Sequence, residues 1–303
     1  MPISTHKLSD TERQTVFEIV AGFPKQRTEN PSDGSLITVC DPVRAFPSLV
    51  VGKEVIGHRL KRDEFEKYSA KLTGLVSAIQ NIYTPDGAPY LLIEGVPVKD
   101  NASTTSAFLS LLGHNLLLEY PEYGQRGTLI DEISDRGKGG ARPSSGNALY
   151  FGRHTDNSPH PTPPGFVNLL VIRQADQGGE SMLCDARDAA AKLSTETIAV
   201  LKDQFEFPPL PGYSHLPPLR APILEEKDGI ISVRYRRDGL LNLSRAQERA
   251  LDEWDAALDS CAVAVKLPAD SFLICSNTQA LHARTAYSGG DRLLLRTYTE
   301  YVP

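Results

Sequence analysis

The segment Phe151-Gly152-Arg153-His154-Thr155-Asp156 sets a histidine and an aspartate two positions apart. In an extended chain both side chains point to one face, so an imidazole and a carboxylate converge on one point. Such a pair also occurs as a plain hydrogen bond at a strand end. A second segment shifts the balance. Ser276-Asn277-Thr278-Gln279-Ala280-Leu281-His282-Ala283-Arg284 places His282 126 residues after Asp156, far enough for a sheet to bring it back. Two histidines and one carboxylate on one face of a metal leave its opposite positions open, which suits non-haem Fe(II) and oxygen chemistry. Arg292 lies ten residues beyond His282 and Arg296 four beyond that. On a strand, Arg292, Leu294 and Arg296 share one face, and the two arginines offer planar forks for carboxylates.

These residues need elements to position them. Beyond Leu149 the pattern is mostly β. Strands are expected over Phe166–Arg173, Glu180–Asp185, Ile230–Arg236, Cys261–Leu267, Ser271–Ser276 and Arg292–Val302, with helices over Ala189–Phe205 and Ser244–Ser260. Many strands with few intervening helices suggest a sandwich or jelly roll. Before it, apolar spacing predicts helices over Thr11–Gly22, Asp63–Tyr83 (with Asp63 as its cap) and Thr104–Glu119, and a buried strand over Tyr90–Val96. Pro85-Asp86-Gly87 reads as a turn. His114 falls within the third helix and reads as a packed core histidine. Residues 128–147, rich in Gly, Asp, Arg and Ser, end just before the histidine–aspartate pair and read as a candidate lid loop. No linker or repeat divides the chain. The expectation is a single domain over 1–303, mainly helical over 1–120, with the β core over 149–302.

Composition narrows the class. The 303 residues are 40% hydrophobic and carry 32 Lys+Arg against 38 Asp+Glu, a formal charge of −6. That balance is globular, and a mildly acidic chain is no dedicated nucleic-acid binder. No stretch is apolar for long enough to span a membrane, and the first residues lack a basic, then apolar, secretory pattern. A cytoplasmic location is expected. Cys40, Cys184, Cys261 and Cys275 form no CxxC pair and read as buried, inert thiols. Phosphate-binding loops, the GxGxxG fingerprint and the GxSxG elbow are absent.

Together, the HxD pair, the distal histidine and the arginine ten residues on resemble the Fe(II)/2-oxoglutarate-dependent oxygenases, in particular the taurine dioxygenase and clavaminate synthase-like group. The resemblance covers about Leu149 to Val302. Asn277 matches the family's asparagine five residues before the distal histidine, and Gly178-Gly179-Glu180-Ser181 matches its Gly-Gly-acid-Thr segment with serine for threonine. Gln279 and Ala283 depart from residues frequent near the distal histidine, without removing a ligand. The resemblance implies a double-stranded β-helix (jelly-roll) core with N-terminal and inserted helices. It also implies Fe(II) held by His154, Asp156 and His282, and 2-oxoglutarate held by Arg292 with Ser181. Arg296 matches a position that binds a substrate acid group. The implied reaction consumes O2, converts 2-oxoglutarate to succinate and CO2, and oxidises, usually hydroxylates, a C–H bond.

Arg296 points to a small carboxylate-bearing substrate such as an amino acid, free or carrier-bound. For Arg296 the competing reading is a structural salt bridge. Val233-Arg234-Tyr235-Arg236-Arg237-Asp238 is basic. Were Arg236 or Arg237 to face the site, a neutral or acidic substrate side chain would be favoured over a cationic one. Arg153 has a similar status, and solvent exposure is the alternative for each. His160, within Pro159-His160-Pro161, reads as part of a rigid loop at the cavity mouth. His6, His58 and His215 read as surface or packing residues, and Trp254 as core. Two other classes stay open: a cupin-like metal-dependent hydrolase or isomerase without 2-oxoglutarate, and a non-catalytic binding protein on the same fold.

Overall fold

The computed structural model describes residues 3–23, 25–29, 36–40, 48–51, 55–58, 62–84, 86–98, 102–118, 129–137, 145–209, 217–227 and 229–301, with backbone alone for 25–64. The Asp63 cap, the side chains of Cys40 and His58, Pro85, Glu119, His215, Val302 and residues 128 and 138–144 of the glycine-rich segment lie outside that description.

Two sheets face each other. The large one has nine strands. Eight run in the order Ser4–Lys7, Tyr90–Glu94, Ser271–Ser276, Phe166–Arg173, Leu293–Tyr301, Asn115–Leu118, Val55–His58, Ser48–Val51, and Asp131–Ser134 also pairs with Leu293–Tyr301. Only the pair Ser4–Lys7 and Tyr90–Glu94 is parallel. The small sheet runs Val263–Val265, Ser181–Asp185, Ala280–Arg284, Phe151–His154, all antiparallel.

Period-two alternation buries both faces of the large sheet. Leu91, Ile93, Phe272, Ile274 and Leu295 pack outward against Val16, Val20, Leu75, Ile79 and Phe108 of the helices Asp10–Ala21, Thr73–Ile82 and Ala102–Leu111. Leu92, Leu273, Cys275 and Leu294, their neighbours along the same strands, turn inward and meet Leu183 and Ala280 of the small sheet. On the small sheet's outer side, Cys184 and Leu281 pack against the helix Arg245–Cys261 through Leu251, Trp254 and Leu258. The order of layers is therefore helices, large sheet, small sheet, helices. Each fully buried leucine in these layers contributes roughly 1.5–3 kcal/mol.

The helix starts follow local chemistry. Ser9 with Glu12, and Ser244 with Gln247, form reciprocal capping boxes. Three helical expectations are corrected. The helix expected over 63–83 is two, Arg62–Ser69 and Thr73–Ile82. Lys71 and Leu72 tighten to i→i+3 bonds between them, and the step buries Leu72 completely. The helix expected over 189–205 is also two, Ala186–Ala190 and Thr195–Leu201, and Ser194 restarts the chain as an N-cap. The third expected helix stops at Leu111. Gly113 (φ 84°) and His114 (φ 69°) turn left-handed, and the chain reverses into the strand Asn115–Leu118. His114 thus sits at a turn, its ring 3.9 Å from that of Phe65. Within the expected lid loop, Asp131–Ser134 is a strand. Among the described residues no helix is long and apolar enough to cross a membrane. Cys184, Cys261 and Cys275 are free thiols; Cys184 and Cys275 are buried, Cys261 partly so.

Candidate metal and keto-acid site

The cavity between the sheets is lined by residues from both. His154, Ser181, Leu183 and His282 come from the small sheet, and Val167, Leu169, Leu273, Cys275, Leu294 and Arg296 from the large one. His154 and His282 are direct partners in antiparallel register, which places both imidazoles on one face. The strand ends at His154. Beyond it the chain is held by Thr155 N–H donating to Tyr235 O (2.8 Å) and by Asn277. The Asn277 side chain accepts from Asp156 N–H (2.7 Å) and donates to the Asp156 and Pro164 carbonyls (2.9 and 3.0 Å). The Asp156 carboxylate is thereby carried to the histidines. Its Oδ1 lies 3.3 Å from His154 Nε2 and 3.6 Å from His282 Nε2.

One ligand atom from each of the three residues falls within 4.8 Å of the others. His154 Nδ1 stands 2.8 Å from the Gly152 carbonyl. With the proton on Nδ1, Nε2 presents its lone pair to the site. Burial, then the neighbouring His282, pushes the His154 imidazole below its ordinary pKa, so it stays neutral and ligand-competent. For Asp156 burial works upward, but Arg296 and the two histidines outweigh it and hold the carboxyl well below the usual range. Two imidazoles beside an ionised carboxylate are a donor set for a divalent transition metal.

The strand Leu293–Tyr301 supplies the cationic wall. Arg292, just before it, and Leu294 and Arg296 within it all line the cavity. Arg292 is buried, and its Nε and Nη1 have no hydrogen-bond partner among the described residues. Burial, then Arg284, lowers its pKa to about 10, against the pull of Tyr287. It therefore remains charged near neutrality, and a buried cation without a carboxylate calls for an anion. Ser181 opens into the same cavity. Gly178, three residues before it, is fixed by close approach: a Cβ there (φ 69°) would meet the Ala286 carbonyl at 2.0 Å.

Arg296 is shared between two carboxylates, Nη1 to Asp156 Oδ2 and Nη2 to Asp131 Oδ2, both at 3.1 Å. The salt-bridge reading of this residue thus describes its contacts here, and the side chain also lines the cavity. Arg153 is not brought to the cavity. It alternates away from His154 and pairs with Asp259 on the helix Arg245–Cys261, so its expected substrate contact is corrected. Arg236 does not line the cavity either; its guanidinium lies 5.4 Å over the ring of the cavity residue Phe151 and is paired twice with Asp238 (2.6 and 2.9 Å). Arg237 binds Asp252 and Asp255. Arg234 donates to the carbonyls of Ser158, His160 and Pro161, clamping the loop that holds His160.

Sequence reasoning missed four residues here. Tyr298 donates to Asp156 Oδ2 (2.9 Å), and one more step of the Arg292–Leu294–Arg296 alternation would have reached it. Asp131 sits opposite Arg296 in register, which nothing in the glycine-rich segment signals. Arg284 and Arg292 flank the Tyr287 ring at 4.8 and 5.0 Å.

Residues 65–298 match the family described as "Taurine catabolism dioxygenase TauD, TfdA family", and the chain belongs to that family. It is 24% identical over 241 residues to an L-lysine 3-hydroxylase of Catenulispora acidiphila, a match covering 69% of this chain and 66% of the relative. Among solved structures, an asparagine oxygenase in complex with Fe(II), 2S,3S-3-hydroxyasparagine and succinate superposes with a TM-score of 0.75. Identity is 17%, over 97% of this chain and 92% of that one. The non-heme iron oxygenase OrfP in complex with Fe and α-ketoglutaric acid gives a TM-score of 0.73 at 19% identity, over 98% and 94%. The residues of this chain fit such a pair of groups. Two imidazoles and a carboxylate suit Fe(II), and the unpartnered Arg292 nitrogens suit a distal carboxylate.

Proposed function

We propose that this chain is an Fe(II)- and 2-oxoglutarate-dependent dioxygenase that hydroxylates a C–H bond of a small carboxylate-bearing substrate such as an amino acid. The observation that carries the reading is Arg292, a buried cation with unpartnered donors on the cavity that also holds the triad. A metal hydrolase or isomerase without a keto-acid has no use for such a group.

His154, Asp156 and His282 would hold the iron, and Arg292 with Ser181 the distal carboxylate of 2-oxoglutarate. Bound together, iron and keto-acid supply the oxidising power for O2-dependent hydroxylation, with 2-oxoglutarate leaving as succinate and CO2. The protein's own part is positioning and exclusion of water. Asn277 fixes the backbone at Asp156, and Leu169, Leu183, Leu273 and Leu294 give the cavity an apolar wall. Arg296 would meet the substrate acid, displacing Asp131 from one amino group. Arg236, paired with Asp238, would meet the substrate's far end and disfavour a cationic one.

The facing sheets support the jelly-roll description of the core and a single domain over 1–303. Ile133 and Ser145 on the cavity wall support residues 128–147 as its lid. The buried free thiols agree with a reducing, cytoplasmic setting. Succinate release, screened over free amino acids and their carrier-bound forms, tests the reading. Succinate formed together with a hydroxylated amino acid supports it. Substrate turnover independent of 2-oxoglutarate contradicts it.

A further inference from the structure

We infer that Tyr298 is a positioning residue of the metal site, its hydroxyl fixing Asp156 as a ligand through one oxygen only. The inference rests on the reading of His154, Asp156 and His282 as the iron-holding set.

The two oxygens of Asp156 have different surroundings. Oδ1 faces the Nε2 atoms of both histidines, at 3.3 and 3.6 Å. Oδ2 points away and accepts from Tyr298 Oη at 2.9 Å and Arg296 Nη1 at 3.1 Å. Each carboxylate oxygen has about two lone-pair sites, so two donors fill Oδ2 and leave Oδ1 as the free one. A carboxylate held in this way spends one coordination position, and the positions it does not take stay open to keto-acid and oxygen.

The two donors are not equivalent. Arg296 divides itself between Asp156 and Asp131 and lines the cavity, so an entering acid competes for it. Tyr298 cannot follow a ligand in that way. Its ring is 4% exposed, packed with Leu116, Leu118 and Val167, and its backbone pairs on both sides, with Val167 and Leu118. The tyrosine is the fixed donor and the arginine the exchangeable one. Outer donors of this kind typically change metal affinity by about 10–100-fold when removed.

Tyr298→Phe keeps the ring and its packing and removes only the hydroxyl. Co(II), whose visible spectrum reports coordination, is titrated into wild type and variant without cosubstrate, alongside thermal unfolding of both metal-free proteins. The expected result is roughly tenfold weaker Co(II) binding with an altered visible spectrum, and a metal-free unfolding temperature close to wild type. Equal affinity with an identical spectrum overturns the inference. So does a loss of affinity matched by a loss of metal-free stability, which would assign Tyr298 to packing alone. A wild type that binds no Co(II) would instead overturn the iron-holding set, and this inference with it.

Discussion

His154 and His282 stand directly opposite each other on neighbouring antiparallel strands, their ring centroids 4.3 Å apart. Two imidazoles 128 residues apart in sequence are thus set by a single pairing register. A slip of one residue would turn one imidazole to the outer helices. Replacing either histidine by alanine is expected to abolish stoichiometric metal binding and turnover while leaving the fold intact. Metal content after desalting, with circular dichroism as the control, checks this. Full metal occupancy in either variant would contradict it.

Arg292 carries an opposite pair of effects. Arg292→Met removes a buried charge that has no acid partner among the described residues, so the ligand-free protein is expected to unfold at a higher temperature than wild type. The same change removes charge-assisted bonds of about 1.5–3 kcal/mol, and the KM for 2-oxoglutarate is expected to rise roughly ten- to a hundredfold. Thermal melts and succinate kinetics read the two effects separately. An effect confined to the amino-acid substrate would exchange the roles of Arg292 and Arg296.

The pH dependence follows from His154 and Asp156. The folded His154 pKa lies below 6.5. In the window between folded and unfolded values only the unfolded chain takes up the proton. Its contribution to stability is complete above about 6.5 and is lost as pH falls through the lowered folded value. Asp156 acts in the same sense further down, complete above 3.8 and lost as pH falls through its own depressed value. The metal-free protein is expected to lose stability on acidification below 6.5. Chemical denaturation across pH reads this, and stability that stays level as pH falls below 6.5 would contradict the depressed His154.

Arg153 and Asn277 separate support from contact. Arg153→Met breaks a pair with Asp259 outside the cavity, so substrate KM is expected to stay within about twofold. Asn277→Ala strips three hydrogen bonds from a side chain on a residue 1% exposed. Leaving buried backbone groups unpaired costs roughly 1–3 kcal/mol each, and metal binding should weaken together with stability. Chemical denaturation with parallel metal titration measures both. A large KM change in Arg153→Met would return that residue to the site.

The chemistry was more legible in the sequence than the scaffold. His154, Asp156, His282 and Arg292 are marked by residue type and spacing and Ser181 by the family resemblance, and all line one cavity. Strand alternation placed Arg292, Leu294 and Arg296 on one face, and the same period ran on unnoticed to Tyr298. The direction of Arg153 was hidden because one step of a strand separates cavity from helix. Helix lengths were overestimated where periodicity continues through a break, as at Leu72 and Ser194, since apolar spacing records burial and not hydrogen-bond continuity. Asp131 carried no signal, because its partner is set by a cross-strand register that local sequence does not specify.

The most direct test is anaerobic titration of the purified protein with Fe(II) and then 2-oxoglutarate, followed by visible absorption. The account predicts a weak charge-transfer band that appears only when the keto-acid joins the iron-loaded protein, and that is missing in His282→Ala. Tight Fe(II) binding with no spectral response to 2-oxoglutarate would contradict it and leave a metal enzyme that does not use the keto-acid.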